Sequence, residues 1–321
     1  MRKVIILGQN VKVINMGTGK GFGKVILFGE HFVVFGIPSI VSAIDRATTA
    51  TVKKEAGHGW GLEDRRPETP GYKAEKLEQQ RDSINRVLKA AGIDVNKHHV
   101  KITLGGELVA ASGVGASAAS CVAIARALSD EFGLGFSDEE INRIAYEGER
   151  AYHGNPSGVD NTAATYGGLI WFERWKPLSR IFITSPVEVV IANTGVVADT
   201  GAAVAGVRER KERYPGEYAK IFKEAEELAY IAKRALEMYD LDAVGKLMGE
   251  NHRLLQSIEV SCQELDELVG LALKSGAIGA KLTGAGLGGN IVALTPGKEL
   301  QERVARAIER EGFEALRTRI G

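Results

Sequence analysis

The sequence predicts an α+β fold with two domains, mixed sheets and packed helices. Three observations support this prediction. The chain has 321 residues, 44% of them hydrophobic, which is enough to bury a large core. Strand-like and helix-like segments are mixed along the chain rather than strictly alternating. The pattern restarts after residue 168, so we expect an N-terminal phosphate-binding domain at residues 1–175 and a C-terminal domain at residues 176–321.

The first domain is predicted from β-branched runs and from helical periodicity. Residues 1–14 read as β-rich. The native chain could also start at Met16. The glycine-rich residues that follow Met16 predict a flexible approach to the first strong strand. The predicted strands cover residues 24–28, 39–44, 49–53 and 100–104. A polar stretch rich in Gly and Pro at 57–71 predicts a loop. One predicted helix begins near Lys73, and two more cover residues 117–132 and 138–152.

The second domain shows the same mixture of signals. Its predicted strands cover residues 169–172, 187–192 and 290–294. Its predicted helices, which are rich in charged residues, cover 217–237, 241–255, 263–274 and 298–311. A glycine-rich turn precedes the last of these strands.

The composition excludes several classes of partner. Lys and Arg number 41 and Asp and Glu number 41, so no overall field favours nucleic acid or an anionic membrane. The two cysteines, Cys121 and Cys262, lack the spacing of a zinc site or a disulfide framework. No apolar run is long enough to span a bilayer, and the start lacks the pattern of a signal peptide. We therefore expect a cytoplasmic protein whose partner is a small molecule.

Small residues form the run AASGVGASAAS at 110–120, between a predicted strand and a predicted helix. Gly113 and Gly115 would let the backbone approach phosphate oxygens, and the helix N-terminus would offer unpaired N–H groups. The run is neither a Walker A loop nor a Rossmann fingerprint. A tight turn before a packed helix is the structural alternative, in which Ser117 would be an ordinary helix cap.

Polar residues bracket the strand in GKVILFGEHFVVFG at 23–36. Lys24 lies at one end of the strand, and Glu30 and His31 follow the other. As structural alternatives, Lys24 is a charge at the edge of a sheet and His31 a hydrogen-bonded turn residue.

Two carboxylates flank a compact turn in GERAYHGNPSGVDNT at 148–162. The chain can reverse at the Pro and Gly of this turn, so Glu149 and Asp160 can face one phosphate pocket. The alternatives are a solvated helix charge for Glu149 and a turn or helix cap for Asp160. A fourth segment, KLTGAGLGGN at 281–290, fits Gly-x-Gly-x-x-Gly formally, but it leads into a strand, which is the wrong context for dinucleotide binding.

These four segments, in this order, resemble the motifs of the GHMP kinase superfamily of galactokinase, homoserine kinase, mevalonate kinase and phosphomevalonate kinase. The resemblance covers most of the chain, from about residue 23 to residue 294. The segment at 148–162 is the one most typical of the mevalonate kinase branch. Val109, Val114 and Ala116 replace the usual proline, leucine and first serine of the second motif, a variant similar to the kinetoplastid mevalonate kinases.

The resemblance implies a two-lobed GHMP kinase fold and a set of site residues. Asp160 would accept or orient the reacting hydroxyl, with Lys24 beside it, and Ser117 and Glu149 would hold Mg²⁺. Glu30, His31 and Thr194 would contact the substrate. The resemblance also implies a homodimer. Independently of the resemblance, the loop at 57–71 is a candidate for the adenine pocket, because a loop of that length calls for an explanation. The ATP phosphates would lie against Ala111, Ser112, Gly113, Val114, Gly115, Ala116 and Ser117.

The implied activity is phosphorylation of the C5 hydroxyl of mevalonate by ATP. A sister enzyme of the superfamily acting on phosphomevalonate or another small hydroxy acid is the nearest alternative. A relative that binds a ligand without catalysis is an alternative of another class. The joint presence of Lys24, Ser117, Glu149 and Asp160 argues against the second alternative, because a protein that only binds needs no metal ligand paired with a base.

Overall fold

The computed structural model describes residues 3–7, 10–14, 16–68, 71–110, 113–196 and 200–321, with the backbone alone for 3–7, 10–14 and Tyr72. The strands are β1 (Lys3–Leu7), β2 (Asn10–Ile14), β3 (Gly17–Phe28), β4 (Ser39–Glu55), β5 (Trp60–Asp64), β6 (His99–Gly106), β7 (Leu169–Phe172), β8 (Ser179–Ile181), β9 (Val187–Asn193), β10 (Gly279–Thr283), β11 (Asn290–Leu294) and β12 (Glu314–Ile320). The helices are α1 (Tyr72–Glu75), α2 (Leu77–Ala90), α3 (Ala116–Phe132), α4 (Asp138–His153), α5 (Val159–Tyr166), α6 (Thr200–Arg213), α7 (Pro215–Glu237), α8 (Leu241–Ser257), α9 (Gln263–Lys274) and α10 (Lys298–Arg310).

The chain divides into two compact units. The first unit comprises Met1–Gly23 and Arg46–Tyr166, and the second comprises Lys24–Asp45 and Gly167–Gly321. The domain boundary predicted between residues 175 and 176 stays a prediction.

The first unit contains a sheet and a layer of helices. The C-terminal part of β4 pairs antiparallel with β6, and β6 pairs parallel with β5. The helices α2, α3, α4 and α5 pack on one another. Helix α3 is buried almost all round, which explains its high content of alanine: a helix without an exposed face needs small side chains to pack closely on every side.

Glycines allow the start of β3 to lie directly against α3. A Cβ atom added to Gly17, Gly19 or Gly21 would lie 2.1–2.2 Å from a backbone carbonyl oxygen of α3. These glycines alternate because every second residue of a strand faces the same side. The flexible approach predicted for this stretch is therefore wrong: the glycines serve close packing of a strand.

The second unit contains an antiparallel sheet in the order β10, β11, β9, β12. The N-terminal part of β4 pairs with β7, and β7 pairs with β8. Helices α7 and α8 pack together, and α8 packs on β10 at a close contact, where a Cβ atom on Gly245 would lie 2.2 Å from the carbonyl oxygen of Ile278.

Two further sequence predictions differ from the structure. Residues 39–44 and 49–53 belong to one strand, β4, because no Gly or Pro interrupts the chain between them. The predicted loop at 57–71 contains strand β5, whose half-exposed edge carries too few apolar residues to be detected from the pattern. Across the described residues, no helix is long and apolar enough to cross a membrane.

Candidate active site

The N-terminus of α3 has the geometry of an anion-binding site. Gly113 and Gly115 adopt φ values of 70° and 76°, a region that glycine enters at no steric cost. Gly115 is the N-cap, no side chain caps the helix, and its first turn carries no acidic residue. The first N–H groups of α3 are therefore available to a ligand, and the helix dipole favours a negative charge there. Of the residues predicted to contact phosphate, Ala111 and Ser112 lie outside the described residues.

Ser117 is the second residue of α3, so its predicted alternative role as a helix cap is wrong. It precedes Cys121 by four residues and therefore lies on the same face of the helix. Gly148 of α4 packs on that face, because a Cβ atom added to it would lie 2.6 Å from Sγ of Cys121. Glu149 follows directly and is 1% exposed. The alternative of a solvated helix charge is thus also wrong.

The carboxylate of Glu149 interacts with a histidine and with a buried thiol. Its Oε2 lies 3.7 Å from Nε2 of His153, one turn along α4. Burial, and after it the charge of Glu149, raises the pKa of the Cys121 thiol, so this cysteine stays protonated. A buried carboxylate and a helix N-terminus thus occur on two helices in contact, an arrangement able to bind a cation together with phosphate.

We expect Gly148→Ala to destabilise the protein by about 1–3 kcal/mol, because the new methyl group would overlap Cys121 and Val87, at 2.6 and 2.7 Å. The matched control is Gly249→Ala in the exposed part of α8, where a Cβ atom meets nothing within 4 Å. That change should stabilise the protein by roughly 0.5–1 kcal/mol. Urea unfolding measures both. Equal stability of the two variants would contradict the close contact of α3 and α4.

Asp160 lies in the first turn of α5 and is partly exposed. Its neighbour Asn161 is buried and attaches α5 to α4. Nδ2 of Asn161 donates to Oδ1 of Asn142 on α4 at 2.6 Å and to the backbone carbonyl oxygen of Asn142 at 3.3 Å. The turn before α5 is tied down by Tyr146, whose hydroxyl donates to the carbonyl oxygen of Pro156 at 3.3 Å. Asp160 is thus carried on a helix that hydrogen bonds attach to α4.

Arg66 is a structural support that the sequence analysis missed. Its guanidinium group is buried and pairs with Asp64 through two hydrogen bonds of 2.9 and 2.6 Å. The same group donates to the hydroxyl of Ser120 and to the carbonyl oxygen of Ala116, in the first turns of α3. Burial would raise the pKa of Asp64, but the hydrogen bond and charge of Arg66 hold it below its usual value. Arg66 therefore fixes the helix end that carries Ser117.

Lys24, Glu30 and His31 all lie in the second unit and are buried. Lys24 is on β3, and Glu30 and His31 lie between β3 and a 3₁₀ helix at Phe32–Phe35. His31 has a φ of 61°, unusual for a residue with a side chain, and its Nε2 is 2.6 Å from the carbonyl oxygen of Ala285. Since a carbonyl oxygen only accepts, Nε2 carries the proton and Nδ1 is left as an acceptor.

Burial shifts the pKa values of both Glu30 and His31. Burial raises the pKa of Glu30, and the neighbouring Lys281 and Lys24 oppose that rise. Burial lowers the pKa of His31, so its ring is neutral near pH 7. Neither Oε2 of Glu30 nor Nδ1 of His31 has a hydrogen-bond partner in the described part of the chain. Two adjacent residues therefore present acceptors that a ligand with hydroxyl groups can satisfy.

The glycine-rich turn after β10 brings the remaining predicted residues together. Ala285 accepts the bond from His31, and the N–H of Leu287 donates to the carbonyl oxygen of Val260 at 2.8 Å. The N–H of Thr194 donates to the carbonyl oxygen of Gly289 at 2.8 Å, and Thr194 is 9% exposed. His31 and Thr194 thus both hydrogen-bond to one turn of the second unit, and Glu30 precedes His31 directly in the chain.

Lys281 is a second residue whose importance the sequence analysis missed. Its side chain is completely buried on β10, and its ammonium group contacts the carboxylate of Glu30. The residue stood at the start of the fourth motif, but a lysine in a strand pattern is normally read as solvent-exposed. The burial of Lys281 could have been predicted from the apolar sequence on both sides of the glycine-rich turn, which indicates that both faces of β10 are buried.

Comparisons with known proteins identify relatives of this chain. Residues 81–168 match the GHMP kinases N terminal domain, and residues 232–315 match the GHMP kinases C terminal domain. The mevalonate kinase of Pyrococcus abyssi is 35% identical, over 92% of this chain and 93% of its own length. The crystal structure of L. major mevalonate kinase in complex with R-mevalonate is 37% identical, with a TM-score of 0.91, and covers 100% of this chain and 98% of its own. Phosphomevalonate kinase of Streptococcus pneumoniae has a TM-score of 0.71 at 16% identity over 95% of this chain and 99% of its own, a likeness of fold alone.

Proposed function

The chain belongs to the mevalonate kinases of the GHMP kinase family, and we propose that it transfers the γ-phosphoryl group of ATP to the C5 hydroxyl of mevalonate. The products are 5-phosphomevalonate and ADP. The observation that carries the proposal is the match to the L. major enzyme, solved with R-mevalonate, which extends over the whole chain at 37% identity. The buried acceptors of Glu30 and His31 support it, because the hydroxyl group of mevalonate that is not phosphorylated can donate to one of them.

Asp160 would act on the attacking hydroxyl. It would accept the proton of the C5 hydroxyl as the bond from that oxygen to the γ-phosphorus forms. The bond from the γ-phosphorus to the bridging oxygen breaks at the same time, and ADP leaves with its electron pair. The rigid attachment of α5 to α4 through Asn161 supports this role, because the oxygen must be held in line with the leaving group.

Lys24 would act on the charge that develops during transfer. Lysine is a compact point charge, and a buried ammonium group is worth more to a negative transition state than one in water. Its burial on β3 and its influence on the Glu30 carboxyl support a position close to the substrate hydroxyls. The uncapped N-terminus of α3, with Gly113, Gly115 and Ser117, would bind the phosphates of ATP.

Ser117 and Glu149 fit the part of a Mg²⁺ site that a protein has to supply. In the described ranges no group of three or more His, Cys, Asp or Glu side chains could hold a metal ion alone. Mg²⁺ prefers hard oxygen ligands and usually takes most of them from phosphates and water, with one or two from the protein. A serine hydroxyl and a buried carboxylate match that preference. When bound there, the ion would neutralise charge on the β- and γ-phosphates.

We expect Ser117→Ala to weaken the Mg²⁺-dependent part of ATP binding by about ten-fold or more, the scale found when groups that support a metal ion are removed. Titration calorimetry with ATP, with and without Mg²⁺, measures this without relying on turnover. Ser257→Ala, which removes a hydroxyl that donates to the Arg253 carbonyl oxygen on α8, is the control. An unchanged effect of Mg²⁺ in Ser117→Ala would remove Ser117 from the metal site.

ADP release by the purified protein tests the proposed function. The acceptors are mevalonate, phosphomevalonate, homoserine, galactose and none, each with Mg²⁺ and ATP. Release that depends on mevalonate is the expected result. A preference for another acceptor would assign the enzyme to another activity of the superfamily. ATP binding without ADP release for any acceptor would indicate a sensor. We further propose a cytoplasmic location and assembly as a homodimer.

A further inference from the structure

Lys281 and Glu30 form a buried ion pair in the second unit. Both side chains have no exposed surface. The ammonium group of Lys281 donates to Oε1 of Glu30 and to the carbonyl oxygen of Leu282, the latter at 2.5 Å. Lys24 is the next positive charge that acts on Glu30. A fully buried lysine is rare and calls for a specific reason.

Stability does not supply that reason. The free-energy cost of removing two charges from water can equal or exceed the gain from their attraction. Apolar residues of the same volume therefore often stabilise a fold equally well. Strand β10 is also held without the pair. Thr283 accepts from the N–H of Ile26 at 3.2 Å and donates to the carbonyl oxygen of Ile26 at 2.9 Å, and β10 pairs with β11 along five residues.

The geometry around Glu30 indicates what the pair does instead. The backbone there is set by Gly29 and His31, with φ values of 93° and 61°. The N–H of Val33 donates to the carbonyl oxygen of Gly29 at 3.0 Å, and that of Phe32 to the carbonyl oxygen of Glu30 at 2.7 Å. This turn fixes the backbone but leaves the carboxylate to be oriented by its own contacts. Lys281 is the cation that contacts one of its two oxygens.

We propose that Lys281 is a positioning residue that holds Oε1 of Glu30, so that Oε2 is presented to a hydroxyl group of the substrate. This inference rests on the proposed function. Oε2 is buried and has no hydrogen-bond partner among the residues that the structure describes. A buried acceptor of this kind is expected to find its partner in a ligand or a water molecule. The ammonium group also opposes the effect of burial, which raises the pKa of Glu30.

The test is a double-mutant cycle with Lys281→Met, Glu30→Gln and the double variant. We expect each single variant to raise KM for mevalonate by about ten-fold or more, the loss of one hydrogen bond to a charged group, with KM for ATP changed by less than about two-fold. The double variant should be no worse than either single variant, because both changes remove the same contact. Lys246→Met, an exposed lysine of α8, is the control.

Three results would overturn the proposal. The first is a normal KM for mevalonate in Lys281→Met. The second is a rise in both KM values together, which a general loss of structure would produce. The third is failure of the double variant to fold, since removal of both charges should be tolerated if the pair has no structural task. Circular dichroism and the melting temperature of each variant identify that third case.

The wild-type acceptor assay separates this inference from the proposed function. If the wild type phosphorylates mevalonate, the variants test Lys281 directly. If the wild type prefers another acceptor, the proposed function fails, and the same cycle with that acceptor still tests whether Lys281 orients Glu30. If it transfers to no acceptor, both fail.

Discussion

Asp160→Asn is expected to reduce kcat by roughly 10²- to 10⁴-fold, the contribution of a positioned general base. The amide has nearly the same shape as the carboxylate, but it cannot accept the proton of the attacking hydroxyl. Asp160 lies in the first turn of α5, and that helix is held by the hydrogen bonds of Asn161 to Asn142, which the substitution leaves in place. The melting temperature should therefore change little, and KM for mevalonate should change far less than kcat.

The matched control for Asp160→Asn is Asp242→Asn. Asp242 is also an acidic residue in the first turn of a helix, α8, and is exposed. Both changes remove a negative charge that interacts favourably with a helix N-terminus, so any loss of stability should be similar. Steady-state kinetics and thermal unfolding of both variants separate the two effects. Near-normal turnover of Asp160→Asn would contradict the catalytic role proposed for Asp160.

Lys24→Met is expected to lower kcat by about 10²- to 10³-fold, the effect of losing one group that stabilises transition-state charge. Methionine preserves much of the length and volume of the lysine stem, which matters because Lys24 is only 6% exposed on β3. The loss should appear in kcat more than in KM for ATP, since the charge is needed most when the phosphoryl group is in transfer.

Lys20→Met is the control for Lys24→Met. Lys20 lies four residues earlier on the same strand, is exposed, and has its ammonium group 4.9 Å from the ring centre of Phe22. Its loss removes the same charge from the strand without touching a buried group, so turnover should stay close to that of the wild type. Equal losses in the two variants would indicate a general effect of charge and would contradict the specific role proposed for Lys24.

The elements with a strong periodic pattern were predicted well. Helices α3, α4, α7, α8 and α9 begin and end within about two residues of the predicted positions, the usual uncertainty of helix ends. The failures have physical causes. The start of β3 was predicted to be flexible because it is rich in glycine. Those glycines allow close packing against α3, a contact that no local sequence pattern reveals. Short elements such as α5 and β8 carry too few residues for a period to be recognised.

Some features of the candidate site could be predicted from the sequence and others could not. Gly113 and Gly115 could be identified from sequence, because a left-handed backbone next to a helix leaves few other residue types. The burial of Glu149 could not, since it depends on the contact of Gly148 with Cys121 in a distant part of the chain. Arg66 and Lys281 were missed because charged residues are read as exposed unless the partner that neutralises them is known.

The identity of the phosphorylated product tests the central claim most directly. The purified protein is incubated with Mg²⁺, ATP and R-mevalonate, and the product is analysed by proton-detected phosphorus correlation spectroscopy. We predict one new phosphomonoester whose phosphorus couples to the two protons of the C5 methylene group, formed in equal amount to ADP. A phosphoester without that coupling, or ADP formed without any new phosphoester, would contradict the assignment of this chain as an enzyme that phosphorylates the C5 hydroxyl of mevalonate.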